Sequence, residues 1–301
     1  MTSKMKVLTF NELLKQSESL AVAIGFFDGV HLGHQKVIGK AVEHAKANDF
    51  KSVVLTFDRS PKAKTGYLTP LDVKLSIFSE FGVDYVLVLE FNDLLKQLPA
   101  ECFIKEYLVA TGVSFVSVGF DFRFGNQGAG DAAMLQSRDE FQVAICEPEL
   151  MGGDKVSSTR IKKRLEMGDL VAVKNMLGRD FCVSGEVVYG KQLGRTIGFP
   201  TANLQLDAEQ FLGLRGVFAT RVHFDGSVYH GMTNIGFNPT ANLQEQLSVE
   251  THIFEFETDV YGQRLQLEFL SKIRDEIKFE GLEQLVAQLE QDKIDAQSLL
   301  K

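Results

Sequence analysis

The chain predicts an α/β half followed by a β-rich half, and three observations carry that expectation. As far as about Gly178, long apolar runs alternate with helical patterns, which implies a parallel sheet with right-handed crossovers. Beyond it the runs become short and rich in β-branched and aromatic residues, the texture of an antiparallel barrel or sandwich. A length of 301 residues suits two domains, each large enough for its own core.

Residues 20–27 read as a strand buried on both faces, followed by a helix over about 31–47. The buried-strand pattern returns at 52–57, 84–91 and 113–119, with helical stretches at 71–81 and 99–108. Residues 157–174 read as one or two closing helices. In the second half, strands are expected at 181–189, 216–224, 227–235, 249–256 and 265–270. Asp225-Gly226 marks a hairpin, since glycine tolerates the positive φ of a tight turn. A helix over about 282–300, apolar at Leu285, Val286 and Leu289, closes the chain. The expected domains are 1–178 and 179–301.

Apolar residues make up 45% of the chain and charged residues 24%, an ordinary globular composition. A net charge of −8 argues against nucleic acid as a partner, because that binding needs clustered positive charge. Cys102, Cys146 and Cys182 are too few for a disulfide framework or a zinc site and read as buried small hydrophobes in a reducing compartment. No signal-like or membrane-length apolar run is present. The expectation is a cytoplasmic protein with no membrane partner and an oligomeric state left open.

Two glycine-anchored segments carry the chemistry. In Gly25-Phe26-Phe27-Asp28-Gly29-Val30-His31-Leu32-Gly33-His34, the two histidines share a helical face just after a buried strand. There the helix start attracts anions. Gly25 and Gly29 permit a tight turn, and Gly33 lets a polyphosphate approach the backbone. The chemistry suggested is nucleotidyl transfer, with imidazoles holding triphosphate oxygens and the departing pyrophosphate. Nothing nearby supplies further ligands for a zinc pair.

Ser157-Ser158-Thr159-Arg160 is a second anion-friendly helix start. Alone it is simply a good N-cap, and it gains chemistry only if it packs beside His31. Residues 119–125, Gly-Phe-Asp-Phe-Arg-Phe-Gly, follow a strand where open sheets place ligand loops, and Asn126 then opens a glycine-rich stretch. A structural turn accounts for that composition equally well.

The second segment is Gly194-Arg195-Thr196-Ile197-Gly198-Phe199-Pro200-Thr201-Ala202-Asn203. If extended, Thr201 and Asn203 project from one side, offering hard oxygen ligands for Mg²⁺ beside nucleotide phosphates. Gly190, Gly194 and Gly198 suggest a mobile loop over those phosphates, and Glu250 a general base for a substrate hydroxyl.

These residues resemble the bifunctional prokaryotic riboflavin kinase/FMN adenylyltransferase family over residues 20–292. The supporting marks include Asn234-Ile235-Gly236-Phe237-Asn238-Pro239-Thr240 and Arg274-Asp275-Glu276-Ile277-Lys278-Phe279. The resemblance implies a Rossmann-like nucleotidyltransferase domain and a Greek-key β-barrel with a terminal helix. It implies riboflavin, ATP and FMN as substrates, with riboflavin phosphorylated to FMN and FMN adenylylated to FAD. By resemblance, Thr201 and Asn203 hold Mg²⁺, Glu250 is the base and Arg274 lines the flavin side. His31, His34, Ser158 and Arg160 contact phosphate, with Gly25, Phe27, Gly33, Asn126, Ser157 and Gly198 among the binding residues. The chain departs from many relatives at Asp58-Arg59-Ser60-Pro61, where a proline and a histidine are usual beside the flavin of the first site. It also has Ile277 where a second lysine is common.

Two other readings remain at this point. One keeps only the first domain active, on another phosphate ester such as a pantetheine derivative; the complete kinase marks oppose it. The other is a flavin- or nucleotide-binding regulator, which would not need Glu250.

Overall fold

The computed structural model describes residues 4–59, 66–190, 193–207, 209–239 and 245–300. By its contacts the chain divides into two units, Met1–Ser158 and Thr159–Lys301.

In the first unit, β1 (Lys6–Leu8), β2 (Leu20–Ile24), β3 (Lys51–Phe57), β4 (Tyr85–Leu89), β5 (Val113–Gly119) and β6 (Gln142–Cys146) form one sheet. All its pairings are parallel, in the order β1-β4-β3-β2-β5-β6. Every residue of β2 is buried, as its apolar run requires. Helix α1 (Leu32–Asn48) packs on β2, β3 and β5, and α2 (Leu71–Glu80) follows β3. The edge strands β1 and β6 were not anticipated, because one is three residues long and the other only partly buried. The expected helix over 99–108 is Ala100–Phe103 running into a π-helical stretch, Ile104–Val109. Strands β3 and β4 lie to one side of β2 and β5 and β6 to the other. Such a reversal is where open α/β sheets bind ligands, beyond the strand carboxyl ends.

Helices α3 (Ser158–Glu166) and α4 (Leu170–Leu177) follow. Buried Leu170, Val173, Met176 and Leu177 face the barrel strands that α4 touches, so the contacts divide the chain ahead of the expected 178/179 boundary.

The second unit is a closed barrel of β7 (Phe181–Val188), β8 (Ala202–Leu206), β9 (Gly216–Phe224), β10 (Ser227–Pro239), β11 (Glu245–Ile253) and β12 (Arg264–Arg274). Its order is β7-β8-β11-β10-β9-β12, antiparallel throughout. Strands β9 to β11 are consecutive and β12 returns beside β9, which is a Greek key. The interior holds Phe218, Val222, Leu265, Leu267 and Phe269. Three fully buried threonines satisfy one another there, Thr220 to Thr233 and Thr233 to Thr251, each at 2.9 Å. Outside the barrel, α5 (Leu282–Leu299) packs on β9, β10 and β12. A second core of Phe199, Ala219, Met232, Phe254 and Ala296 forms beneath it. Cys146 and Cys182 are buried as expected, whereas Cys102 is only half-buried.

Candidate active sites

The first site begins where β2 ends. Phe27 and Val30 take positive φ, 54° and 41°, a conformation costing about 1–3 kcal/mol per residue and persisting only where the surroundings enforce it. Between them Gly29, at φ 83°, supplies the one position that needs no enforcement. Three carbonyls of this turn are held by side chains. Thr56 Oγ1 at 3.2 Å and Lys74 Nζ at 3.1 Å donate to Phe26. Ser158 Oγ donates to Asp28 at 2.9 Å, and Gln35 Nε2 to Val30 at 2.9 Å. The Asp28 carboxylate in turn accepts the Leu68 N–H at 2.6 Å.

The turn delivers His31 as the N-cap of α1, its Nδ1 accepting the His34 N–H at 3.4 Å. That leaves Nε2 as the proton-bearing nitrogen of neutral His31. The two imidazoles stack at 3.6 Å, 17° from parallel, so the expected pair is assembled, with His31 one place ahead of the helix. Gly33 leaves room for the His31 ring, which a Cβ would meet at 3.3 Å. Gly25 does the same for the Phe27 ring, at 2.9 Å. Phe27 is itself buried and stands edge-on to His34 at 5.4 Å, bracing it.

Ser158 packs against the turn that bears His31, the condition that its serine-threonine run had to meet. Half-buried Ser157 directly precedes α3, and half-buried Arg160 lies in its first turn. Asn126 is exposed in a 3-10 turn after Gly125, its N–H held by Leu98 O at 2.7 Å. Asp58 accepts the Phe91 N–H at 2.8 Å and pairs with Arg59; Ser60 and Pro61 lie outside the described residues.

Lys74 was not anticipated. Its ammonium lies 4.0 Å from the Phe26 ring centre and the residue is 2% exposed. Burial pulls it down to about 8, against the opposing pull of Asp28 and Asp58. A signal was present: Lys74 shares the inward stripe of its helix with Val73, Ile77 and Phe78.

The second site is a row of directly opposed residues across the barrel. Asn203 on β8 faces Glu250 on β11, Glu250 faces Asn234 on β10, Asn234 faces Val217 on β9, and Val217 faces Arg274 on β12. Opposed residues share a sheet face with Cα atoms about 4.5–5.5 Å apart, so the ladder itself sets the spacing of this set. Thr201 immediately precedes β8, two residues before Asn203. Glu250 accepts a hydrogen bond from Ser248 Oγ at 2.8 Å. Thr201, Asn234, Glu250 and Arg274 line a cavity of about 240 Å³ whose apolar wall includes Phe279, Leu285 and Leu289.

Two of the loop glycines serve close approach. The Asn203 amide lies where a Cβ on Gly190 would be, and the Phe199 carbonyl takes the place of one on Gly194. Gly194 also closes the loop by accepting the Phe199 N–H at 2.8 Å. Gly198 adopts φ 83°. Residues 191–192 of this loop lie outside the described residues.

Arg274, expected on the flavin side, lines the cavity and also fastens α5. Its Nε and Nη2 donate to fully buried Asp292 at 2.8 and 2.7 Å, and Nη1 to the Asp275 carbonyl at 2.9 Å. Gln288 Nε2 completes Asp292 at 2.9 Å. His252, also unanticipated, donates Nδ1–H to the Pro200 carbonyl at 2.8 Å, holding the Pro-Thr loop. Burial lowers its pKa, with Lys293 acting the same way and the Pro200 bond opposing.

A parallel α/β unit with an assembled histidine pair, followed by a Greek-key barrel with an Asn/Glu/Asn row, defines a nucleotidyltransferase-like domain joined to a flavokinase-type barrel. A family model described as FAD synthetase matches residues 13–160, and one described as riboflavin kinase matches 177–300. The Listeria monocytogenes protein named bifunctional riboflavin kinase/FMN adenylyltransferase is 36% identical over 286 residues, spanning 92% of this chain and 91% of its own. Its Bacillus subtilis namesake is 35% identical over 298 residues, spanning 95% and 94%. The chain belongs to the bifunctional riboflavin kinase/FMN adenylyltransferase family. A crystal structure from Streptococcus pneumoniae, described as a macrolide-efflux protein, matches with a TM-score of 0.83 and 31% identity over 97% of this chain and 98% of that one. No helix among the described residues is long and apolar enough to cross a membrane.

Proposed function

We propose that this chain converts riboflavin to FMN and then FMN to FAD, consuming one ATP at each step. Residues 179–301 carry the kinase and residues 1–178 the adenylyltransferase. The observation that carries the reading is that each half, matched by its own family model, has an assembled polar set suited to that model's chemistry.

In the kinase, Glu250 takes the proton of the riboflavin 5′-hydroxyl, whose oxygen attacks the γ-phosphorus while ADP leaves. The apolar cavity wall under α5 receives the flavin, with Arg274 along its edge. Thr201 and Asn203 fit Mg²⁺: both offer neutral hard oxygens two residues apart, and Gly190 gives the Asn203 amide its seat. When bound, Mg²⁺ neutralises and orients the ATP phosphates. Gly198 gives the loop before Thr201 its left-handed bend.

In the adenylyltransferase, an FMN phosphate oxygen attacks the α-phosphorus of a second ATP and pyrophosphate leaves. His31 and His34 stabilise the charge passing to pyrophosphate. Ser157, Ser158 and Arg160 support the phosphates from the start of α3, and Asn126 contributes from its exposed turn. The protein acts as a cytoplasmic enzyme of small molecules, with neither nucleic acid nor membrane as partner.

Chromatographic analysis of products from riboflavin, ATP and Mg²⁺ tests this reading. FMN appears first and FAD later. Flavin bound without any conversion would overturn it in favour of a regulator.

A further inference from the structure

We propose that Lys74 is a positioning residue for adenylyl transfer: its buried side chain holds the Phe26 carbonyl, and through it the strained turn that presents His31 and His34. The proposal rests on the reading of the first site as the adenylyltransferase.

An ammonium inside a protein is costly unless something there needs it. Lys74 is among the largest fully buried side chains described, in the company of Phe78, Phe218 and Phe269, and an apolar residue would suit the stripe of Val73, Ile77 and Phe78 better. Its ammonium instead reaches the Phe26 carbonyl at 3.1 Å and the Phe26 ring at 4.0 Å. That carbonyl immediately precedes Phe27, the first positive-φ residue of the turn. Thr56 supplies a second, neutral donor to the same oxygen at 3.2 Å. Releasing this anchor lets residue 27 relax toward an ordinary conformation. Its ring then leaves His34, and the His31 cap moves with the turn.

Among the described residues, the charged groups acting on Lys74 are two carboxylates. Asp28 faces it from the turn and Asp58 from the end of β3. Asp58 is also paired with Arg59, and Asp72 of the same helix accepts the Val73 N–H. Since burial brings Lys74 down to about 8, the side chain is charged at neutral pH. It becomes a neutral amine, a weaker donor without attraction for the Phe26 ring, in mildly alkaline solution. Deprotonation there does not loosen the fold. A cation whose pKa is lowered by folding adds stability as pH rises from the folded value toward the unfolded one. Activity and stability therefore move in opposite directions.

The test compares wild type, Lys74→Met and Lys74→Arg as full-length protein. FMN formation from riboflavin and FAD formation from supplied FMN are each followed from about pH 7 to about pH 9, with a thermal melt at each pH. Wild-type FAD formation declines above about pH 8, while FMN formation shows no break there and the melting temperature does not fall. Lys74→Met lowers kcat for FAD formation by at least about tenfold at neutral pH, removes the alkaline decline and leaves FMN formation within about twofold. Lys74→Arg, if it restores activity, carries it unchanged into the alkaline range.

Unchanged FAD formation by Lys74→Met, or a wild-type profile without the decline, overturns the proposal alone. A wild-type protein that makes no FAD from FMN overturns the reading of the site, and the proposal with it. Should Lys74→Met fail to fold, Thr56→Val removes the other donor to the same carbonyl. With Lys74 then the remaining of these two donors, the variant's FAD formation must decline more steeply above about pH 8 than that of wild type, and an unchanged profile overturns the proposal.

Discussion

The two candidate sites are built by opposite means. The α/β unit places His31 and His34 on a strained turn whose carbonyls are anchored by Thr56, Lys74, Ser158 and Gln35. The barrel places Asn203, Glu250 and Asn234 in one ladder row, where backbone pairing across three strands sets their spacing. A turn depends on each anchor separately, whereas a ladder row is enforced by the whole barrel. The first site should therefore be vulnerable to single losses outside the chemistry. The second should be vulnerable only at its reacting groups and where α5 is fastened.

The largest effect separates the two chemistries. His31→Ala with His34→Ala should lower FAD formation from supplied FMN by about 10³-fold or more, while riboflavin phosphorylation stays close to wild type in a product assay. Glu250→Ala should do the converse, costing riboflavin phosphorylation at least about 10²-fold and leaving adenylylation of supplied FMN intact. If either variant lost both activities while still folded, the sites would not be separate.

A smaller effect probes how the second site is walled. Asp292→Ala leaves the Arg274 guanidinium, 16% exposed, without its carboxylate. Denaturant unfolding should show a loss of about 3–5 kcal/mol, the usual consequence of breaking such a pair from one side. Pairing Asp292→Leu with Arg274→Met should recover much of that stability but not the wild-type KM for riboflavin. Full recovery of both would mean that Arg274 serves only to hold α5.

The smallest effect is a pH dependence of the barrel. Folding lowers the His252 pKa below its ordinary 6.5. As the solution is acidified below that value, the unfolded chain takes up a proton before the folded one does, so stability falls. A pH series of melts should show this acid loss in wild type and a weaker one in His252→Phe. Equal slopes would remove His252 from the account of how the Pro200 loop is held.

Most of the scaffold was legible because its signals are local. Residues 113–119 and 216–224 emerged as β5 and β9 with their expected bounds, and α5 begins at Leu282 as its spacing indicated. Strand β8 was not assigned as a strand, because Pro200 and the polar Thr201, Asn203 and Gln205 obscure its alternation. Lys74 and Asp292 escaped notice for a common reason. Lysine and aspartate on a helix normally read as solvated, and only their distant partners, Phe26 and Arg274, make burial tolerable.

By itself, then, the sequence determined the two-part architecture and singled out the histidine pair, Thr201 with Asn203, and Glu250 as candidates. Those signals are written in spacings of a few residues, which backbone geometry converts directly into shared faces. Tertiary structure alone decided that Ser158 and Lys74 hold the turn before His31 and that Glu250 stands between Asn203 and Asn234. It also decided that Arg274 is committed to Asp292. Each of these depends on strand register or on packing between segments far apart in the chain; the stripe of its helix turns Lys74 inward, but nothing local names the partner that any of these residues meets.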